Sequence, residues 1–286
     1  MQQANILVIV GPTASGKTSL AIDLAKRFNG EIICADSRTI YSGMDIGTAK
    51  PSKSDQKLIK HYMLDIVEPN QSFSVVKYKQ QALEAISQIK RNSKLPIIVG
   101  GSGMYIDSLL FDYQFRGHKL GKNIDGLSIE AKKAQAKILY PNDYNNIQGN
   151  NVRRLDQLLM YGPAGEEDRE SLKLDCLIVG LSPKELMLKH NIELRASQML
   201  NNNFVHEVEF LRAKYGPDAP GLSSTGYRQV SMMLDGELQE SELLASIIKA
   251  SSKLAKKQFT WFRRNKHINW FDSGDKSELL IAEYLN

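Results

Sequence analysis

Short apolar runs alternate with segments of helical periodicity along most of this chain. The runs at 5–10, 31–35, 96–99 and 174–181 are almost continuously apolar, and most are rich in Val and Ile, which is typical of buried parallel strands. Between them, apolar residues recur at the three- and four-residue spacing of helices that bury one face. Strands that alternate with helices predict an α/β fold with a doubly wound parallel sheet.

The apolar periodicity weakens in the middle of the chain, between 112 and 151, where glycine and proline recur. One helical segment, at 129–139, interrupts this stretch. We therefore predict a small, mostly helical insertion at 115–150. The core domain would then be formed by 1–114 and 151–286, the second part ending in basic helices.

Two local patterns refine this outline. The segment from Arg38 to Pro51 contains two glycines and several hydroxyl side chains but few candidates for a core, so we predict a loop that carries contacts. Further along, Ser182-Pro183-Lys184-Glu185 has the serine, proline and glutamate of a capping box. It predicts a helix that begins there and continues in pieces to Tyr215.

Composition places the chain among ordinary globular proteins, with 286 residues, 42% of them apolar and 24% charged. No apolar window is long enough to span a bilayer, and no basic stretch precedes the first apolar run. Cys34 and Cys176 lie in strand-like runs without the spacing of a metal site. We expect a cytoplasmic protein with reduced thiols and no membrane partner.

The strongest chemical signal is an octapeptide that matches the phosphate-binding pattern G-x-x-x-x-G-K-[ST] at every required position. It reads Gly11-Pro12-Thr13-Ala14-Ser15-Gly16-Lys17-Thr18. The strand predicted before it and the helix predicted after it supply the context that the mechanism needs. Free N–H groups at the helix start, with the charge of Lys17, favour a di- or triphosphate ligand. Thr18 is the expected protein ligand of a Mg²⁺ ion on the phosphate oxygens.

Polar residues follow two of the other predicted strands. Asp36 comes directly after the run at 31–35, and Gly100-Gly101-Ser102 follows the run at 96–99. The carboxyl ends of parallel strands are where α/β sheets bind ligands, so we expect Asp36 near the bound phosphate. Ser102 either presents its hydroxyl to the phosphate end of the ligand or caps the following helix.

The net charge of +5 is unevenly distributed, because no acidic residue occurs between Leu243 and Phe271. On a helix, four lysines of this stretch would share one face. They are Lys249, Lys253, Lys256 and Lys257. Aromatic residues are interleaved with the basic ones. They are Phe259, Trp261, Phe262, Trp270 and Phe271. We interpret the pattern as a grip on a nucleic-acid backbone rather than as a merely solvated face.

These residues alone leave three functions open. In a small-molecule kinase that uses ATP, Asp36 would accept a hydroxyl proton while the terminal phosphoryl group moves in line. In alkyl transfer from a pyrophosphate ester, the loop and Mg²⁺ would stabilise the departing pyrophosphate, and Asp36 would orient or deprotonate the nucleophile. A non-catalytic RNA-binding protein with a phosphate loop is the third possibility.

Several ordered blocks closely resemble the tRNA dimethylallyltransferase family. They are residues 11–18, Ala35-Asp36-Ser37, residues 41–51, Gly100-Gly101-Ser102, Gly226-Tyr227-Arg228-Gln229 and residues 254–263. The resemblance implies that the loop, with Arg228, binds dimethylallyl pyrophosphate. It also implies transfer to N6 of the adenosine at position 37, next to the anticodon, in tRNAs that read codons beginning with U. Asp36 matches the family's general base, and Lys17 and Ser102 match further catalytic positions.

The resemblance further implies a monomer that contacts the tRNA anticodon stem-loop. The matching positions are Asp36, Ser37, Arg38, Thr39, Ser102, Arg153, Arg154, Leu155, Asp156, Gln157, Ser223, Ser224, Thr225, Gly226, Tyr227, Arg228, Lys256 and Lys257. The chain departs from the family pattern in three ways. Its helical insertion is short, Ser223 stands where an arginine is common, and Gln157 and Met160 replace an arginine and a glutamate.

Overall fold

The computed structural model covers two compact units. It describes residues 6–113, 124, 126–145, 147, 151–163 and 171–285. The first unit comprises Met1–Leu110 and Leu172–Asn286, and the second comprises Phe111–Ser171.

A six-stranded sheet, all of whose pairs are parallel, forms the centre of the first unit, in the order β3-β2-β4-β1-β5-β6. Its strands are β1 Ile6–Val10, β2 Gly30–Cys34, β3 His61–Tyr62, β4 Leu95–Gly100, β5 Cys176–Leu181 and β6 Asn269–Phe271. The predicted α/β fold with a parallel sheet is therefore confirmed. The three-residue strand β6, next to the basic segment, was not predicted.

Helices surround this sheet and build the second unit. Those in the described residues are α1 Lys17–Arg27, α2 Lys53–Leu58, α3 Val75–Arg91, α4 Gly103–Leu110, α5 Ile129–Leu139, α6 Pro141–Asn145, α7 Val152–Tyr161, α8 Glu185–Asn201, α9 Phe204–Tyr215, α10 Tyr227–Leu234, α11 Glu240–Phe262 and α12 Glu278–Leu285. In this part of the chain, no helix is both long enough and apolar enough to cross a membrane.

The position of β1 in the sheet explains where a ligand can bind. Every residue of β1 is buried, and β4 and β5 pair with its two edges. This burial accounts for the unbroken apolar run that the sequence shows. Because β1 and β4 are parallel neighbours, the segments that follow them emerge side by side. From there the chain crosses from β1 over β4 to β2, and from β4 over β1 to β5. A crevice at such a switch point is the usual ligand site of an open α/β sheet.

The segment at 38–51 is a loop, as predicted, but it contributes more residues to a core than the prediction allowed. Ile40, Tyr41 and Met44 are buried in an apolar cluster with residues of α8 to α11. Their spacing matches neither a strand nor a helix, which is why periodicity did not detect them. The ammonium group of Lys50, also buried, lies 2.7 Å from both the Tyr41 carbonyl and an Asp45 carboxylate oxygen.

The predicted capping box at Ser182 is wrong, although the two helices expected between it and Tyr215 are present as α8 and α9. The N-cap of α8 is Lys184, without a capping side chain. The N–H of Ser182 donates to the Phe271 carbonyl at 2.8 Å, so Ser182 prolongs the pairing of β5 with β6. A residue held in that register is not free to cap a helix two residues later.

The second unit has its own small core, in which α5 packs against α7. Ile124, Ala136, Leu155, Leu158 and Leu159 are buried in it. This unit spans more of the sequence, Phe111–Ser171, than the insertion predicted at 115–150, and it includes α7.

Candidate functional site

A cavity of about 450 Å³ lies at the carboxyl edge of the sheet. Its wall brings together the loop after β1, the segments after β2 and β4, and parts of α8 and α11. The predicted residues that line it are Thr13, Ala14, Ser15, Gly16, Lys17, Thr18, Asp36, Ser37, Arg38, Thr39, Ser102, Ser223, Ser224 and Thr225. Gly11 and Pro12 are buried at the base of the loop.

The loop at 11–18 has the backbone that its glycines require. A Cβ atom on Gly11 would lie 2.5 Å from the Leu181 carbonyl oxygen, and Gly16 has a φ of +87°. The Nζ of Lys17 donates to the Pro12 carbonyl at 2.9 Å, so the ammonium group folds back across the loop. The Ser15 hydroxyl is buried and has no hydrogen-bond partner among the described residues. An unpartnered donor and a cation at a helix N-terminus suit a phosphate group.

The electrostatics of the loop favour an anion. Desolvation lowers the pKa of Lys17 to about 8, an effect that Asp36 opposes and Arg195 reinforces. Burial also lowers the pKa of the Arg195 guanidinium, and Asp36 again acts in the opposite direction. A bound pyrophosphate would favour the charged form of both groups.

Asp36 and Ser102 are tied together through the turn after β2. The Ser37 N–H donates to the Ser102 hydroxyl at 2.8 Å, and the Ser102 N–H donates to the Ala35 carbonyl at 3.1 Å. One carboxylate oxygen of Asp36 accepts from the Arg38 N–H at 2.8 Å. The Ser102 hydroxyl therefore braces the turn that holds Asp36, and among the described residues it makes no helix-capping bond.

Two residues of α8 reach the loop, and sequence analysis missed both. The Nη1 of Arg195 donates to the Thr13 hydroxyl at 2.7 Å, and the Nδ2 of Asn191 donates to the Ala14 carbonyl at 3.1 Å. One signal could have drawn attention to Arg195. It falls on the same helical face as Ile192, Ala196 and Met199, which are buried, and an arginine among buried residues needs a partner.

The C-terminal block at 254–263 braces the site from α11. The Gln258 side chain accepts from the Thr13 N–H at 2.8 Å and donates to the Gly101 carbonyl at 3.0 Å, so it links the segments after β1 and β4. The indole N–H of Trp261 donates to the Asp107 carboxylate at 2.8 Å.

The interleaved aromatic residues of this stretch were interpreted as part of a nucleic-acid grip, and the structure assigns several of them to packing instead. Phe262 is buried, and Phe259 meets Trp270 edge to face with ring centres 5.4 Å apart. Lys256 and Lys257 are exposed on α11 and form no ion pair with the described part of the chain. The basic half of the predicted grip is therefore accessible.

Several other residues predicted to contact tRNA are buried. Tyr227 is fully buried, and its hydroxyl donates to Glu207 at 2.6 Å. Leu155 is fully buried in the core of the second unit. Both side chains fill cores, and the contacts with tRNA that the sequence assigns to these two residues stay predictions. Gly226 is also buried, and its N–H donates to the Gln229 side chain at 2.8 Å.

The remaining positions lie on surfaces. Arg228 is exposed and does not line the cavity, so the arginine that the structure brings to the phosphate loop is Arg195 instead. In the second unit, Arg154 and Gln157 are exposed, and Asp156 pairs with Lys132 at 2.8 Å. The side chain of Arg153 lies outside the described residues.

The cavity offers few protein ligands for a magnesium ion, which would have to bind mainly through the phosphate oxygens of a bound substrate. The described residues contain no group of three His, Cys, Asp or Glu side chains arranged to hold a metal. Thr18 lines the cavity directly after Lys17 and offers one hydroxyl. This sparse donor set fits Mg²⁺, which commonly binds through substrate phosphates and few protein ligands.

Comparisons with known proteins agree on one family. The family model described as IPP transferase matches residues 39–265. A tRNA dimethylallyltransferase of Bacillus anthracis is 38% identical over 301 aligned positions, which cover 98% of this chain and 95% of that protein. The crystal structure of a full-length tRNA isopentenylpyrophosphate transferase from Bacillus halodurans is 28% identical, with a TM-score of 0.76 over 98% of this chain and 95% of that one.

A more distant structure shares the fold. It is a eukaryotic dimethylallyltransferase described as acting on tRNA, 23% identical, with a TM-score of 0.79 over 90% of this chain and 69% of that one. The family match covers most of the chain, and the Bacillus anthracis relative aligns along almost its whole length. The chain therefore belongs to the IPP transferase family.

Proposed function

We propose that this protein transfers a dimethylallyl group from dimethylallyl pyrophosphate to N6 of the adenosine at position 37 of tRNAs that read codons beginning with U. Family membership supports the reaction class. One structural observation carries the proposal. Lys17 and Arg195 lie at the phosphate loop in the same cavity as the carboxylate of Asp36. Two cations suit a departing pyrophosphate, and a carboxylate suits an amine nucleophile.

The donor would place its pyrophosphate in the loop at 11–18. The loop N–H groups, Lys17 and Arg195 would stabilise the negative charge that develops as the bond from the prenyl C1 to oxygen breaks. Thr18 would hold Mg²⁺, which neutralises charge on the phosphate oxygens when it is bound. Arg228 is exposed, so we assign it to RNA contact in preference to pyrophosphate binding.

Asp36 would act on the nucleophile. The exocyclic amine of adenine is weakly nucleophilic, and a carboxylate that accepts its hydrogen bond raises the electron density on N6. The new bond joins N6 to the prenyl C1, the electron pair of the broken bond leaves with the pyrophosphate, and the N6 proton passes to Asp36. One oxygen of Asp36 accepts from the Arg38 N–H, and the other is the proposed acceptor.

The target base would have to leave the anticodon stack to enter the cavity, as in other enzymes that modify a nucleobase. Ser37, Arg38, Thr39 and the segment 223–225 line the cavity and would surround the flipped nucleoside. Exposed Lys256 and Lys257 would contact phosphates, as would Arg154 on the second unit. We propose that the protein works as a monomer in the cytoplasm.

A labelling experiment tests this function against its alternatives. Purified protein with Mg²⁺ and unmodified tRNA is incubated with dimethylallyl pyrophosphate labelled in the prenyl group or with ATP labelled in the terminal phosphate. Label from the prenyl donor in the RNA is the expected result. ATP turnover that depends on a metabolite, with no prenyl label in RNA, would indicate a kinase. Salt-sensitive tRNA binding without reaction of either donor would indicate an RNA-binding protein.

A further inference from the structure

Glu207, which the sequence did not mark as a site residue, accepts four hydrogen bonds. It lies near the start of α9 and is half-buried. One carboxylate oxygen accepts from the N–H groups of Asp45 and Ile46, at 3.0 and 2.8 Å. The other accepts from the Gly47 N–H at 3.3 Å and from the Tyr227 hydroxyl at 2.6 Å.

These bonds satisfy the backbone donors of a segment that lies outside any helix or strand. Three consecutive backbone N–H groups point at one carboxylate, and such charge-assisted bonds are stronger than neutral ones. Glu207 is thus the acceptor that lets 45–47 depart from regular secondary structure without leaving its donors unpaired.

Close packing leaves no room for a side chain at Gly47. A Cβ atom on this residue would lie 2.3 Å from the ring of Tyr227 and 2.4 Å from the ring of Phe204. The two rings meet edge to face, with centres 5.0 Å apart and an interplanar angle of 88°. The backbone at Gly47 is therefore held by hydrogen bonds on one side and by aromatic rings on the other.

Both segments joined in this way continue into the cavity wall. Gly47 and the two residues after it line the cavity, and so do residues 223–225, which end two positions before Tyr227. Glu207 itself is not among the lining residues. It thus connects two parts of the wall that are far apart in sequence.

We propose that Glu207 is a positioning residue that, through the N–H groups of 45–47 and the Tyr227 hydroxyl, sets the spacing between the walls at 47–49 and 223–225. The inference rests on the proposed prenyl transfer, because the spacing matters through the substrate held between the walls. Small displacements of bound reactants reduce the rate far more than they reduce binding. Removal of the Glu207 carboxylate is therefore expected to lower kcat more than it changes KM.

Glu207→Gln and Tyr227→Phe test the proposal, with Glu209→Gln as the control, since Glu209 is exposed on the same helix. Glutamine has a single acceptor oxygen and cannot reproduce all four bonds. We expect kcat per folded molecule, measured after titration of tRNA-binding sites, to fall about tenfold in Glu207→Gln and about fivefold in Tyr227→Phe. The KM for tRNA should stay within about twofold, because the phosphate contacts are elsewhere.

Hydrogen exchange supplies a readout that does not depend on turnover. The amides of Asp45, Ile46 and Gly47 should exchange faster in Glu207→Gln than in the Glu209→Gln control. If the wild-type protein shows no prenyl transfer, the proposed function is contradicted. The exchange rates of these amides would still show whether Glu207 holds the segment at 45–47. A kcat per folded molecule equal to that of the control would overturn the positioning role. If Glu207→Gln does not fold, an unchanged kcat in Tyr227→Phe overturns it.

Discussion

The Nη1 of Arg195 and the hydroxyl of Thr13 are 2.7 Å apart in space and 182 residues apart in sequence. This bond brings a second cation, half-buried, to a loop that already holds Lys17. A phosphate loop with one lysine serves many nucleotide-binding proteins, whereas a second cation adds charge where a pyrophosphate departs. The relationship between α8 and the loop is therefore central to the proposed chemistry.

Arg195→Lys should lower kcat/KM for the prenyl donor about a hundredfold. Lysine keeps the charge but loses the planar fork that can bond Thr13 and a phosphate oxygen together. Initial rates against donor concentration measure the effect, and Arg91→Lys, an exposed substitution at the end of α3, is the matched control. Equal kcat/KM values in the two variants would show that Arg195 does not contact the donor.

Asp36→Asn should lower kcat by about a hundredfold to ten-thousandfold, the range for a general base. Asparagine is nearly isosteric, and its side-chain oxygen can still accept from the Arg38 N–H. Affinity for tRNA should therefore remain within a few-fold of the wild-type value. Single-turnover rates and filter binding separate the two quantities, with Asp23→Asn on the exposed side of α1 as control. Full turnover in Asp36→Asn would remove Asp36 from the mechanism.

Binding of the donor should weaken above about pH 8, because desolvation lowers the pKa of Lys17 to about 8 in the free protein. Below that pH Lys17 is protonated and attracts the pyrophosphate, and above it the proton is lost. The Kd should be flat from about pH 7 to about pH 8 and then rise, approaching about tenfold per pH unit.

Titration calorimetry with dimethylallyl pyrophosphate across this range measures the profile. Lys17→Arg provides the comparison, since a guanidinium stays charged throughout. A Kd that rises equally in both proteins would assign the pH dependence to another group.

Replacing both Lys256 and Lys257 with alanine should weaken tRNA binding and make it less sensitive to salt. Each phosphate contact contributes about one unit to the slope of log affinity against log salt, so the slope should fall by about two. The kcat at saturating tRNA should not change, since neither lysine lines the cavity. A Lys26→Ala, Lys77→Ala protein removes the same charge from exposed positions of α1 and α3. The same slope in both double variants would mean that this face of α11 does not contact the RNA.

The parts of the site that could be predicted from sequence are those whose signal is local. The loop at 11–18 combines a motif with its own strand and helix, and Asp36 and Ser102 follow apolar strands. A parallel sheet brings such segments to one edge, and the structure confirms that all three line one cavity.

The parts that were missed depend on contacts between distant segments. Gln258 bonds Thr13 across 245 residues, and Glu207 bonds Asp45 across 162. Helical periodicity shows which face of a helix is buried but not which backbone groups that face meets. The burial of two predicted contact residues has a related cause. Tyr227 and Leu155 lie in segments that match the family, and such segments contain core residues as well as contacts.

Nucleoside analysis of tRNA tests the central claim most directly. tRNA from cells that lack this modification is incubated with the protein, Mg²⁺ and dimethylallyl pyrophosphate, digested to nucleosides and analysed by mass spectrometry. The proposed function predicts one dimethylallyl group on N6 of the adenosine next to the anticodon, formed about a hundredfold or more slowly when Asp36→Asn replaces the wild type. Unmodified adenosine at that position after incubation with folded, tRNA-binding wild-type protein would contradict it.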